Sequence, residues 1–252
     1  DHAAGSGMRD WQGKRYWLVG ASEGLGRALA VHLSRAGVEL VLSARNRERL
    51  EELADNLPGR ALVVPVDVRD MGSVREAAQA AGAVDGVIYL AGVYWPQAAQ
   101  AWNADQVEAM CDVNFTGAAR VMGAVVPAML ERGTGHLVLT GSLAGFRGLP
   151  GAIGYGASKA GLMHLAESMK ADLHGSGVEV QLVNPGFIQT RLTEKNSFRM
   201  PFIMTPEAAA AEIFDHLGTG RFRKSFPMVF SWVFRLSRFL PETVYQRLFA
   251  RG

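Results

Sequence analysis

The feature that most limits what this chain can become is a glycine-spaced turn near its start, Gly20-Ala-Ser22-Glu23-Gly24-Leu25-Gly26. It follows a short apolar run, Tyr16–Val19, and opens a helical pattern with Leu25, Leu29 and Leu33 on one stripe, ending at Gly37. A strand that passes through glycines into a helix is the opening unit of a βαβ fold. The glycines permit a tight turn and a close approach of the backbone to a partner. The helix N-terminus behind them offers unpaired N–H groups and a partial positive charge, which suits a pyrophosphate. The spacing is GxxxGxG rather than GxGxxG. Its place on the first strand-to-helix turn is what points to dinucleotide binding, through Gly20, Ser22, Glu23, Gly24, Leu25 and Gly26.

The remaining chain repeats the pattern. Strand-like runs fall at Val38–Ser43, Ala61–Val66, Val84–Leu90, His136–Thr140 and Val178–Val183. Helical stretches separate them at 46–56, 71–81, 105–132 and 155–174. Alternation without hairpin turns predicts a parallel sheet with helices on both faces, a doubly wound α/β/α Rossmann-like fold in a single domain. At 252 residues, 48% hydrophobic and 20% charged, the chain suits one large domain. A net charge of +2 gives no reason to expect a nucleic-acid partner. No run of 18 apolar residues is present, so no ordinary membrane span is expected. Cys111 is the only cysteine, which rules out an internal disulfide and fits a reducing, cytoplasmic compartment. Residues 1–7 read as a remnant ahead of a native start at Met8, and no metal-ligand spacing involves His136, His164 or His174.

Two further stretches carry chemistry. Tyr155 and Lys159 stand four apart at the start of an apolar helical run, so they share a helix face. A cation beside a phenol favours the phenolate and lowers its pKa. Ser142 lies thirteen positions before the tyrosine, just past the strand-like HLVLT, where its hydroxyl can meet a substrate oxygen. After the second strand, Ala44 stands where an acid would hold a ribose 2′-hydroxyl, and Arg45 follows it. An arginine there accommodates a 2′-phosphate, so NADP(H) is expected over NAD(H), with Glu23 counting against it.

Taken together, Gly20-x-x-x-Gly24-x-Gly26, Asp67, Asn114, Ser142, Tyr155-x-x-x-Lys159 and Pro185-Gly186 resemble the single-domain branch of the short-chain dehydrogenase/reductase family, over about 16–190. The resemblance implies an NADP(H)-dependent oxidoreductase that interconverts a ketone or aldehyde and an alcohol. It implies Tyr155 as proton donor and acceptor at the carbonyl oxygen, with Ser142 hydrogen-bonded to that oxygen. Lys159 would hold the nicotinamide ribose and lower the tyrosine pKa, and Asn114 would support a water behind it. Asp67 and Val68 would lie beside the adenine, Ala91 and Gly92 along the cofactor, and Pro185, Gly186, Ile188 and Thr190 at the nicotinamide end. The resemblance also implies a homodimer or homotetramer and a substrate lid at about 190–205. The apolar residues of that lid, with Tyr94 and Trp95, suggest a hydrophobic substrate. A non-catalytic nucleotide sensor is the competing class, disfavoured because it needs no proton donor. A dehydratase or epimerase is a third, disfavoured by the room it needs for a substrate domain.

The chain departs from the family pattern in three places. Val19 replaces a usual threonine, and Tyr89-Leu90 replaces a usual Asn-Asn before Ala91-Gly92. Both partners of one family contact are apolar here, which suggests one contact exchanged for another. After 220 the closing strand of the family is not legible. The extension 221–252 instead carries seven Lys/Arg against the one acid Glu242. Val229, Val233, Leu236 and Leu240 form an apolar stripe opposite Ser231, Arg235 and Arg238, a basic amphipathic helix. Two readings stay open: the stripe packs on the fold or a neighbouring subunit, or 226–240 makes peripheral contact with a membrane.

Overall fold

The computed structural model describes residues 8–189, 193–195, 200 and 202–249. Seven parallel strands form one sheet in the order β3-β2-β1-β4-β5-β6-β7. They are β1 (Arg15–Val19), β2 (Glu39–Ser43), β3 (Ala61–Val63), β4 (Gly86–Tyr89), β5 (Gly135–Thr140), β6 (Val178–Pro185) and β7 (Arg223–Phe226). Strands β1 to β6 follow the sequence reading, with β3 ending at Val63 rather than Val66. Strand β7 corrects it. A closing strand is present, and Leu182 to Pro185 pair in parallel with Arg223 to Phe226. Its signal was hidden because RKSF is too short and too polar to read as a strand. An edge strand needs only backbone pairing on one side. Arg223 and Lys224 close ion pairs with Glu167 and Glu212.

Both faces of the sheet are covered, which is why its strands are nearly continuous apolar runs. Side chains alternate between faces along each strand. Tyr16 and Leu18 join one core with helices α1 (Gly24–Arg35), α2 (Arg47–Asn56) and α7 (Pro206–Leu217). Trp17 and Val19 join the other, with α3 (Met71–Ala81), α5 (Gly117–Arg132) and α6 (Ile153–Asp172). The remaining helices are α4 (Ala104–Cys111), α8 (Met228–Ser237) and α9 (Glu242–Phe249). Caps match composition: Asn46, Asp70, Asn103 and Thr205 each accept a backbone N–H at a helix start. Helix α7 was not read from the sequence, although Thr205-Pro206 and the alanines behind it are start and propensity signals.

The segment Ala104–Arg132 is helical throughout, and its mean hydropathy window of 1.3 is apolar enough to cross a membrane. Here it is a core element: Ala118, Val121, Met122, Val125 and Met129 bury their stripe against the sheet. A π turn at Asp112–Thr116 interrupts it and turns Asn114 inward, fully buried. Asp112 receives Arg120 at 2.6 Å and Arg69 at 3.3 Å. Glu167 holds Arg223. Cys111 is half-buried. His136 is buried between Tyr16 (2.7 Å) and Gln181 (2.6 Å), and burial pushes its pKa down to about 3. It is a neutral brace between β1, β5 and β6. Among the described residues no cluster of His, Cys, Asp or Glu forms a metal site.

Candidate active site

The glycine turn sits where the strand order reverses, at the C-terminal ends of β1 and β4, the usual crevice of an open parallel sheet. Gly20 has φ +99°, and a Cβ on it would lie 2.5 Å from the Ala91 amide nitrogen. A Cβ on Gly26 would collide with the Gly20 carbonyl. These two positions admit only glycine, so the turn lies tight against α1. Gly20 and Ala21 donate to the Ser43 carbonyl at 2.8 and 3.1 Å, tying the turn to β2. Ser22, Gly24 and Leu25 are part-exposed along its rim. Glu23 pairs with Arg49, so its charge is neutralised from α2. Arg45 is exposed and has no ion pair among the described residues. Asp67 closes the far side, accepting the Arg69 amide at 3.0 Å, beside buried Val68. This cradle fits a dinucleotide: a tight glycine turn, a helix N-terminus and an uncommitted arginine.

The two departures from the family pattern meet each other. Leu90 donates to the Val19 carbonyl at 2.8 Å, so backbone holds the two turns where side chains would otherwise do so. Tyr89 is buried, and its hydroxyl donates to the Val113 carbonyl at 2.5 Å in the π turn.

Asn114, Ser142, Tyr155 and Lys159 converge from three elements. Ser142 follows β5, and its Oγ accepts the Ala144 amide at 3.1 Å. Tyr155 and Lys159 lie on the first turns of α6. Gly154 and Gly161 leave room there for Met110 and Phe115. The Ser142 hydroxyl lies near enough to the Tyr155 phenol to favour its ionised form. Lys159 Nζ donates to the Thr140 carbonyl at 3.0 Å and sits 5.8 Å from the Tyr155 ring centre. Asn114 Oδ1 accepts the Val93 amide at 2.8 Å, while its Nδ2 donates to Val93 O and to Ser158 Oγ. A Cβ on Gly92 would come within 3.3 Å of Asn114 Oδ1 and 3.8 Å of Lys159 Nζ, so the glycine keeps the approach to the lysine open.

The electrostatics differ from the expectation of a lowered tyrosine pKa. Burial pushes Tyr155 up to about 12, against the opposing effect of the Ser142 hydroxyl. Burial likewise draws Lys159 down to about 8. The ammonium is aimed at a carbonyl of β5 rather than at the phenol. Desolvation of both groups therefore outweighs their attraction in the protein alone.

Around this cluster the wall is aromatic. Tyr94 meets Tyr155 edge to face at 4.9 Å. Phe230 of α8 packs 5.9 Å from Phe187 and 5.5 Å from Phe202. Gly186 follows buried Pro185 and donates to the Phe226 carbonyl at 2.8 Å, and Ile188 bridges Met204. Thr190 and the lid residues Phe198 and Pro201 lie outside the described residues. The sequence reading missed Thr140, Ser158, Phe187 and Phe230. The first two act through backbone or second contacts that carry no motif. Phe230 is brought in by a chain segment some ninety positions beyond Ser142.

A Rossmann-like sheet with a glycine cradle at its switch point and a Ser-Tyr-Lys cluster beside it defines a dinucleotide-dependent oxidoreductase. The family model for short chain dehydrogenases matches 14–200. An uncharacterised oxidoreductase of Myxococcus xanthus is 39% identical over 235 residues, covering 90% of this chain and 93% of its own. One from Staphylococcus epidermidis is 34% identical over 72% of this chain and 80% of its own. Among solved structures, a short-chain dehydrogenase from Sphingobium yanoikuyae in complex with NADPH superposes with a TM-score of 0.80, at 25% identity, over 95% of this chain and 96% of that one. The chain belongs to the short-chain dehydrogenase/reductase family, whose members use a nicotinamide dinucleotide.

Proposed function

We propose that this protein is an NADP(H)-dependent oxidoreductase that interconverts a hydrophobic ketone or aldehyde and its alcohol. The observation that carries the reading is the convergence of Ser142, Tyr155 and Lys159, with Lys159 Nζ 5.8 Å from the Tyr155 ring centre and the Gly92 approach open beside it. The dinucleotide, when bound, supplies the hydride. The chain supplies the rest. Ser142 Oγ donates to the substrate oxygen and fixes it against Tyr155. In reduction the Tyr155 hydroxyl gives its proton to that oxygen; in oxidation the phenolate takes it back. A phenol pushed up to about 12 is held protonated in the protein alone, the form that reduction consumes. Lys159 would hold the nicotinamide ribose, and Asn114 keeps the Val93 loop in place behind it.

Preference for NADP(H) is supported by Arg45, which has no acidic partner, and by Glu23, whose charge Arg49 already answers. The substrate class is supported by the aromatic wall of Tyr94, Phe187, Phe202 and Phe230. The test is a panel of alkyl and aryl ketones and aldehydes with NADPH and with NADH, followed by loss of cofactor absorbance. Turnover of apolar members with NADPH is expected. Equal efficiency with NADH would overturn the cofactor assignment, and turnover confined to small polar carbonyls the substrate class. We also propose a closed dimer or tetramer through the α4–α5 and α6 faces. A monomer mass by light scattering at micromolar concentration would refute it.

A further inference from the structure

The C-terminal extension folds inside out. On α8, Ser231 and Ser237 are buried, and their hydroxyls are satisfied by donating to the Met228 and Phe234 carbonyls at 2.7 Å each. Only Phe234 and Phe230 of its large apolar residues turn toward the fold. Met228, Val229, Trp232, Val233 and Leu236 lie on the opposite arc, with Phe239 just beyond, and all face water, from 49% exposed at Val233 to 85% at Phe239. At 100° per residue these five cover a continuous apolar arc. A contiguous exposed apolar surface of this kind marks an interaction site.

The face is also held in place. Arg147, in the loop after Ser142, donates to the Ser237 and Leu240 carbonyls and lies 3.9 Å over the Tyr245 ring. Tyr245 of α9 donates to the Gly148 carbonyl. The helix therefore cannot roll its apolar arc inward without breaking these contacts.

Charge says what covers it. Arg235, Arg238 and Arg247 have no acidic partner among the described residues. Glu242, the only acid of α8 and α9, is already paired with Arg147. Arg235 lies 5.4 Å over the Trp232 ring, at the margin of the apolar arc. Arg238 instead lies 6.0 Å over the Phe146 ring on the inward side, so an apolar arc holding a tryptophan, edged by Arg235 and neighboured by exposed Arg247 of α9, is what a helix in a bilayer interface presents. A second copy docked face to face offers no uncommitted acid on α8 or α9 to answer these arginines, since Glu242 is paired with Arg147.

We propose that the outer face of α8 and the start of the α8–α9 turn dock on an anionic phospholipid bilayer. The apolar arc enters the acyl boundary, and Arg235 and Arg247 meet the headgroups. The same helix carries Phe230 into the wall of the candidate active site, so docking sets that wall beside the bilayer. On the reading above, an apolar substrate would then arrive from the lipid phase.

The test needs no turnover, so its outcome is independent of the reaction assigned. The full chain is sedimented with phosphatidylcholine vesicles, with and without roughly one-quarter phosphatidylserine, at low and high salt. Pelleting with the anionic vesicles at low salt is expected, weakened by salt and by omission of phosphatidylserine. Two paired variants, Trp232→Asp with Leu236→Asp and Arg235→Glu with Arg247→Glu, are expected to lose at least tenfold in vesicle affinity, since each arginine contributes about fivefold. Their circular dichroism and dinucleotide affinity should match the parent. A parent chain left in the supernatant at low salt overturns the proposal. So do variants that pellet as well as the parent. So does a parent that ignores vesicles but whose Trp232→Asp/Leu236→Asp form falls to a lower oligomeric mass, which would assign the face to a second copy.

Discussion

The sheet and the C-terminal extension use the same apolar residues to opposite ends. In α1, the periodic Leu29 and Leu33 are fully buried, and Arg35 faces water. In α8 the periodic Val229, Val233 and Leu236 face water, and Ser231 and Ser237 are buried. Both segments are amphipathic, and both were legible as such. Periodicity identifies a face but does not say which side the rest of the protein occupies. In the extension, Phe230 and Phe234 won the inward side because they fill the space beside Gly186 and the sheet. The serines beside them satisfy their own hydroxyls on the helix backbone, so burying them costs little.

The comparison can be broken at four points, taken from the largest expected effect. Tyr155→Phe should leave folding and dinucleotide affinity nearly unchanged and lower turnover by about 10²–10⁴-fold, because only the transferable proton is lost. A near-parental rate on a good substrate would remove Tyr155 from the chemistry. Next, Phe234→Ala should destabilise by about 3 kcal/mol, as expected for truncating a buried aromatic ring. Trp232→Ala, two residues away on the outer face, should stay within about 0.5 kcal/mol. Chemical denaturation of the two variants side by side tests whether α8 is oriented as described; equal losses would contradict it.

The third point is Arg45→Ala, which should weaken NADPH binding by about tenfold or more, the size of a charge-assisted phosphate contact, and leave NADH binding almost unchanged. Titration by cofactor fluorescence reads both. The smallest effect is a pH profile. Lys159 carries its charge below about 8 and loses it above, so kcat/KM for NADPH in the reductive direction should fall as pH rises through that value. Tyr155 remains protonated across that window, so the descending limb belongs to the lysine. A flat profile from pH 7 to 10 would contradict this assignment; the range follows from the ordinary and shifted lysine values.

Asn114 entered only through the family resemblance; what the sequence determined by itself was the alternation of strand and helix, the glycine turn, and the Tyr155-x-x-x-Lys159 spacing with Ser142 upstream. All of these are local: a period, a spacing, or a residue type whose backbone freedom or chemistry is fixed at one position. The tertiary structure decided the rest. Short polar β7 became a strand because β6 offered it an open edge. Asp112 became a clamp for Arg69 and Arg120 because the π turn brought it to them. Lys159 turned to the Thr140 carbonyl, and burial raised Tyr155 where proximity alone suggested a lowered pKa. The apolar arc of α8 was left facing outward because Arg147 and Tyr245 fix the extension to the Ser142 loop, and that contact spans about ninety residues. Orientation, desolvation and edge pairing depend on neighbours far away in the chain, and a single sequence does not say where those neighbours will be.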